Sequence, residues 1–472
     1  MTKESDDNSL VNVKRRIGKT PLIRARNLEK ELGLQKIYLK LEGNNPSGER
    51  SDRLAYLIIK DALSRGKDTI CLGTYGTMGA SLAFLSQNFD INLVLYVPDK
   101  STLLRADLLE EAPNIRIIEH GTTYEDTVEK SRAEAEARGW YNANPGLQNN
   151  FLDLFAFSYI GREICEYLSD VCPDTVFCQM GNGASVSGLH LGFKQMWMDE
   201  KIRRLPRLYG VSTSEGNAIV ESFKQRSDKI LDLDAEEIAS NRTEYNADLI
   251  NARCYNGQDA LNSLYATDGV AMGISDEELV ETAERFAALE DIDFKVANSY
   301  PLAAFFREVG RGNLSDGTHV LVLNDGKVDL DIRVLEKDDL SISFRRFLMK
   351  LDDWLIDFSD PLDEIEEAVE NAFTKGFVLG AFFQGVLAGI AIVSATRFDT
   401  FFPRYHLSYI ATKKDIKGRG IATELLQRVI DLTRGDLSLH VETDNERAIK
   451  LYEKMGLRKK YYRMMYEGEV IT

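Results

Sequence analysis

Short apolar runs alternate with longer amphipathic stretches through the first two-thirds of the chain. Runs at Lys36–Lys40, Thr69–Leu72, Leu93–Val97, Thr175–Cys178 and His319–Leu323 predict strands, and Arg53–Arg65, Gly79–Gln87 and Phe155–Leu168 predict helices between them. This alternation predicts a three-layer α/β unit around a largely parallel sheet. After a charged connector, Leu335-Glu336-Lys337-Asp338-Asp339, the pattern changes. A helix over Leu362–Phe373 precedes two strands, Phe377–Phe383 and Val386–Val393, joined by the hairpin pair Gln384-Gly385. Then come a strand (Tyr405–Ala411), a glycine-rich turn, a helix (Ile421–Leu432), a strand (Leu437–Val441), a helix (Glu446–Met455) and a last strand (Lys459–Tyr466). The expectation is an α/β domain over 1–335, a linker over 336–341 and an α+β domain over 342–472, with no internal repeat.

Composition narrows the function classes. At roughly 100–200 residues per domain, 472 residues suit two or three domains. With 44% hydrophobic and 28% charged residues, the chain has ample core and is not disordered. Lys+Arg 58 against Asp+Glu 75 leaves a net charge of −17, which repels nucleic acid and anionic membranes. An anionic ligand therefore needs a local device, such as a helix N-terminus or a nest of backbone N–H groups. Five cysteines without CxxC spacing suggest neither a disulfide framework nor a metal site. The polar N-terminus lacks a signal core, and no apolar run approaches the ~20 residues a bilayer span needs. A cytoplasmic location is expected.

Such a device is present near the end of the chain. Lys417-Gly418-Arg419-Gly420-Ile421-Ala422 follows a strand and opens a helix, so its amides converge on an anion at the positive helix end. Further on, Asn445-Glu446-Arg447-Ala448-Ile449-Lys450-Leu451-Tyr452 aligns Asn445, Ala448 and Tyr452 on one helix face. Together, in this order, these elements resemble the GNAT superfamily of acyl-CoA N-acyltransferases over about Ile342–Tyr466. The resemblance implies acetyl-CoA as cosubstrate, its pyrophosphate on Lys417–Ala422, and Tyr452 protonating the departing thiolate. It also implies a backbone amide near Ile410-Ala411-Thr412 for the acyl carbonyl, so Ile410 and Thr412 join the cosubstrate contacts. Asn445 is counted with Tyr452 among the catalytic residues, and His406, Glu442 and Asp444 stand near the relevant strands as candidate bases.

The first domain carries a second resemblance. Ile17-Gly18-Lys19-Thr20-Pro21-Leu22, Ile37–Glu42, Asn45-Pro46-Ser47-Gly48, Gly161-Arg162-Glu163-Ile164, the loop Gly181-Asn182-Gly183-Ala184-Ser185-Val186-Ser187-Gly188 and Leu208–Val211 occur in order. They resemble the fold type II pyridoxal-phosphate enzymes, closest to threonine synthase-like members. In that family a lysine follows the Asn-Pro-Ser/Thr-Gly motif and forms the Schiff base. Ser51 stands there in Glu49-Arg50-Ser51-Asp52-Arg53, and a hydroxyl cannot form an imine. Thr77, beside bulky Tyr75, occupies the place of the asparagine that bonds the ring oxygen, and the residue facing the pyridine nitrogen falls near Asn324. Only the Gly181–Gly188 loop keeps its anion-binding character. Lys60 and Lys295 read as solvated surface lysines rather than substitutes.

Three readings stand. In the first, the chain is an N-acetyltransferase for an amino acid or small amine, and its front domain has lost imine catalysis, binding the acceptor or making homodimer contacts. In the second, it is a bifunctional enzyme whose natural lysine was replaced at position 51, with pyridoxal phosphate as cofactor. In the third, the front domain is a non-catalytic module sensing an amino acid or phosphate.

Overall fold

The computed structural model describes residues 10, 13–14, 16–99, 113–290, 292, 294–340, 342–355, 358–396, 402–414 and 420–460. They form two compact units, Met1–Val328 and Asp329–Thr472. The division lies ahead of the boundary expected at 335, because the strand Leu330–Leu335 pairs with the second unit's sheet.

In the first unit, β1 (Leu22–Arg24), β2 (Ile37–Leu41), β7 (Thr175–Gln179), β8 (Arg207–Thr213), β9 (Val270–Ile274) and β10 (His319–Leu323) form one sheet, ordered β1-β2-β10-β7-β8-β9. Only β1 runs antiparallel. A second, parallel sheet orders β5 (Ile115–Glu119), β4 (Asn92–Val97), β3 (Thr69–Gly73) and β6 (Tyr141–Asn142). The larger sheet is apolar on both faces: Val176 and Cys178 enter one core, and Phe177 enters the other, stacked on Tyr209 at 4.1 Å. Helices on both faces account for such continuous apolar strands.

The helix Asp52–Ser64 starts over a buried ion network. Arg53 reaches Glu42 at 2.7 Å and Glu163 at 2.6 Å, and Lys40 reaches Glu163 at 2.6 Å. Thr20 joins it through its hydroxyl to Glu42 Oε1. Four charges that balance in this way can stay dry. The network clamps β2 to the helix Asn150–Tyr167 and so holds the helix start that presents Ser51.

In the second unit, β11 (Leu330–Leu335), β12 (Phe377–Phe383), β13 (Val386–Ala395), β14 (Tyr405–Thr412) and β15 (Leu437–Leu439) form one sheet in chain order. The β12–β13 turn has positive φ at both Gln384 (49°) and Gly385 (77°), the twist-matched two-residue hairpin. Helices Phe344–Leu355 and Leu362–Lys375 cover one sheet face, and Ile421–Thr433 and Glu446–Lys454 cover the other. The expected linker, 336–341, holds a one-turn helix at Lys337–Asp339 within this unit. Lys459 and Lys460 are not in a strand, and the rest of the expected last strand lies outside the described residues.

Candidate functional site

In the second unit the site grows from a split between two strands. β14 and β15 pair in parallel only from Tyr405–Leu437 to Leu407–Leu439, while β14 continues to Thr412. Lys413 N–H donates to Ala388 O on the β13 side. By the alternation of an antiparallel ladder, Thr412 and Ile410 therefore turn their backbone groups to the opposite, parted edge. The sheet thus offers amide donors beside a gap. The register shift between Ile392 and Val393 leaves Ser408 as the extra residue, so Leu407 and Ile410 both pack into the cluster that contains Tyr452.

Gly420 opens the helix Ile421–Thr433 with φ 74°, and no side chain caps it. A Cβ there would meet nothing within 4 Å. The glycine is thus required by its backbone angle, and the first-turn amides, those of Ile421 and Ala422 included, carry no intrahelical bond. Ile421 itself is buried and Ala422 half-buried. Lys417, Gly418 and Arg419 lie outside the described residues.

Tyr452 is 9% exposed and packs with Ile421, Leu425, Leu426 and Leu407. Burial pushes its phenol up to about 12, so it keeps its proton at neutral pH. Asn445 is the N-cap of the Tyr452 helix, its side-chain oxygen accepting from Ala448 N–H at 3.1 Å. In this place Asn445 fixes the start of the Tyr452 helix. His406 alternates with Tyr405 and Leu407, hence points to the sheet face opposite the Tyr452 cluster, where it meets Ser438 Oγ at 3.0 Å and the His440 ring at 4.6 Å. Glu442 and Asp444 are exposed in the turn before the Tyr452 helix. The structure brings Ile410, Ile421 and Tyr452 into one cluster and places His406 on the opposite sheet face.

In the first unit the expected cofactor residues follow the carboxyl ends of parallel strands, where open α/β sheets hold ligands. Ser51 comes after β2, Asn324 after β10 and the glycine loop after β7 in the larger sheet, and Thr77 after β3 in the smaller one. Ser51 is half-buried at the start of the helix Asp52–Ser64, its carbonyl accepting from Leu54 and Ala55 N–H. Thr77, half-buried, starts the helix Thr77–Ser86. Asn324 is buried just after β10 and donates to Gln179 Oε1 at 3.1 Å. In the glycine loop, Gly183 has φ 101°, and a Cβ there would lie 2.7 Å from Asn256 O. At Gly181 a Cβ would meet Asp248 O at 3.1 Å. Asn182 is engaged as well, donating to Tyr124 OH at 3.2 Å and accepting from Tyr255 N–H. Ala184 and Ser185 open the helix Ala184–Met198, which no side chain caps.

Two features escaped the sequence. Tyr75 stacks on Tyr124 at 5.5 Å, Tyr124 meets the edge of Tyr255 at 6.2 Å, and Arg242 lies 4.4 Å over Tyr75 and donates to its hydroxyl. Lys295 is not merely solvated: its Nζ is 3.2 Å from Glu49 Oε1, and its N–H donates to Asp325 Oδ2 at 3.0 Å. Only the bulk of Tyr75 in a motif of small residues signalled the first. Nothing in spacing signalled the second, because the partners come from distant segments. Lys60 is exposed, as expected.

The sequence profile of the pyridoxal-phosphate dependent enzymes matches residues 13–326. The chain belongs to that family. The acetyltransferase (GNAT) profile matches residues 346–457, so the second unit carries a GNAT domain. Among known relatives, the threonine synthase of Methanocaldococcus jannaschii is 26% identical over 309 residues, 66% of this chain and 74% of that one. The threonine synthase of Bacillus sp. (strain ULM1) is 24% identical over 321 residues, 67% and 85% of the two chains. Two solved structures share the fold of the first unit. A fungal L-serine ammonia-lyase from Rhizomucor miehei has TM-score 0.55 and 19% identity, covering 66% of this chain and 95% of its own. The processed form of threonine deaminase isoform 2 from Solanum lycopersicum has TM-score 0.54 and 15% identity, covering 70% and 91%.

The family implies pyridoxal phosphate, and the residues of this cleft do not fit it. A Cβ at Gly181 or Gly183 would run into the backbone of Asp248 or Asn256, so both loop positions require glycine. The carboxyl groups of Glu49, Asp248 and Asp325 lie around Lys295, where burial already disfavours their charge and a further anion adds to the repulsion. Ser51 offers only a hydroxyl.

Proposed function

We infer that this chain is an acyl-CoA-dependent N-acyltransferase, with acetyl as the acyl group and an amino acid or small amine as acceptor. The observation that carries the reading is Tyr452, a buried, protonated phenol in one apolar cluster with Ile421, the first residue of the uncapped helix, and Leu407, the last β14 residue paired to β15. Acetyl-CoA enters the strand gap with its pyrophosphate at the helix Ile421–Thr433. The Ile410 or Thr412 amide supports the thioester carbonyl as it gains negative charge. The amine nitrogen attacks the carbonyl carbon, the C–S bond breaks, and the Tyr452 hydroxyl donates its proton to the leaving thiolate. The proton lost by the amine goes to solvent, which returns one to the Tyr452 phenolate.

The first unit, in this reading, retains the fold of its family and has given up imine chemistry at position 51. The hydroxyl at position 51 and a cleft rich in carboxylates support this. The test is product formation: the full chain with acetyl-CoA and a panel of amino acids and small amines, followed by mass spectrometry for an acetylated amine and by titration of free thiol. An acetylated product supports the reading, and its absence with every amine removes it.

A further inference from the structure

The carboxyl ends of β2, β10 and β7 carry more acid than their own cations neutralise. Glu49 is 3% exposed and Asp325 7%, and Asp248 joins them around one ammonium group, Lys295. Of the other cations, Arg50 is turned away, its guanidinium lying 5.2 Å over Phe157 and donating to Gln179 O at 3.4 Å, and exposed Lys327 lies with its Nζ against Gly48. Burial pushes Glu49 up to about 7, with Lys295 pulling it down and Asp325 and Asp248 adding to the rise. Burial likewise pushes Asp248 up to about 6 against the pull of Lys295. These groups pay for their desolvation with one lysine whose side chain is 59% exposed.

A second observation points to what is missing. Asn324, 9% exposed, commits its Nδ2 to Gln179 Oε1 and Asn298 Oδ1, while its Oδ1 is buried with no hydrogen-bond partner. Asn298 also bonds Asp325, so the orphan oxygen belongs to the same group of side chains. An unpaired acceptor beside excess carboxylate lacks a donor, and a cationic one suits it best. Among the described residues no cluster of His, Cys, Asp and Glu has the geometry to hold a metal ion. A primary ammonium, with three N–H donors and one charge, matches both the orphan acceptor and the surplus carboxylates.

We propose that the former cofactor cleft of the first unit is a binding site for a small primary amine, whose ammonium lies between Glu49, Asp325 and the Asn324 side-chain oxygen. Lys295 swings outward into solvent as the amine enters. This differs from the family's ligand in charge and in chemistry, and it uses residues separate from the acetyl-transfer site.

The probe is 1,4-diaminobutane with the full chain, without acetyl-CoA, followed by calorimetry and thermal shift. Tetramethylammonium, which has the charge but no N–H donor, and pyridoxal phosphate serve as comparisons. The diamine is expected to bind and raise the melting temperature, and neither comparison compound should. Glu49→Gln and Asn324→Leu should each weaken diamine binding about tenfold or more, as the loss of a charge-assisted bond implies. Tyr452→Phe should leave diamine binding unchanged, so this site and the transfer site can fail separately. If Glu49→Gln proves unstable, the comparison with tetramethylammonium on the unaltered chain still decides. Equal binding of tetramethylammonium, no diamine binding, or full binding by both variants would each overturn the proposal.

Discussion

Lys40 Nζ meets Glu163 Oε2 at 2.6 Å inside the first unit, while the other oxygen of the same carboxylate takes Arg53 Nη1 at 2.6 Å. Burial alone would push the Glu163 carboxyl up. Arg53 and Lys40 outweigh it and hold the group well below the usual carboxylate range. A carboxyl lowered in the folded state stabilises above its ordinary 4.5, and that stability is lost as pH falls below it. Glu163→Gln is expected to cost about 3–5 kcal/mol at pH 7, because two buried cations lose a partner. The acid limb of its stability profile should also be shallower, as urea melts between pH 3 and 7 will show.

Asp153 illustrates the opposite sign. It is 1% exposed, its Oδ2 accepting from Gly146 N–H at 2.7 Å and Asn256 Nδ2 at 3.0 Å, and its Oδ1 has no partner. Burial pushes it up to about 7 from an ordinary 3.8. Its contribution is whole below about 3.8 and is lost as pH rises through about 7. Asp153→Asn removes that titration, so its stability relative to the unaltered chain should be about 1–3 kcal/mol better at pH 8 than at pH 5. Urea melts at the two pH values test the difference. An equal offset at both would mean that Asp153 titrates normally.

Gly420 sits at φ 74° with open space where a Cβ would stand. Gly420→Ala should cost about 1–2 kcal/mol for the left-handed backbone. It should also weaken acetyl-CoA binding, since the methyl enters the space over the helix N-terminus. Calorimetry with CoA separates this from simple destabilisation. Unchanged affinity would place the pyrophosphate elsewhere.

Ser51→Lys tests the front cleft. If the missing amine were the sole obstacle to cofactor binding, the variant would develop a visible absorbance band with pyridoxal phosphate. The acidic surroundings of Lys295 predict no band. A band at near-stoichiometric cofactor would mean that the cleft accepts the cofactor once an amine stands at position 51.

Much of the fold was legible from local pattern. His319–Leu323 reads as a strand from its apolar run, and Gln384-Gly385 reads as a hairpin because two consecutive positive φ angles suit that pair. The helix Phe344–Leu355 was overlooked although Phe344, Phe347, Leu348 and Leu351 recur at helical spacing, because the charged connector before it drew the boundary. β15 stops at Leu439 rather than Val441, since its parallel partner diverges there, and no local pattern reports a partner's path. The same limit governs the sites. Tyr452 and Gly420 belong to motifs and were legible. The capping task of Asn445 is legible from its place before a helix. The gathering of Glu49, Asp248, Lys295 and Asp325 depends on four segments meeting, and only the fold reveals it.

The central claim is acetyl transfer with Tyr452 as the proton donor to the thiolate. Its most direct test is steady-state thiol release from acetyl-CoA, dependent on added amine, by the full chain and by Tyr452→Phe, with CoA affinity measured alongside. The account predicts amine-dependent release that falls by about 10²–10⁴ in kcat in the variant, with CoA affinity held within about twofold. Release undiminished in Tyr452→Phe, or no release from the unaltered chain with any amine, would contradict it.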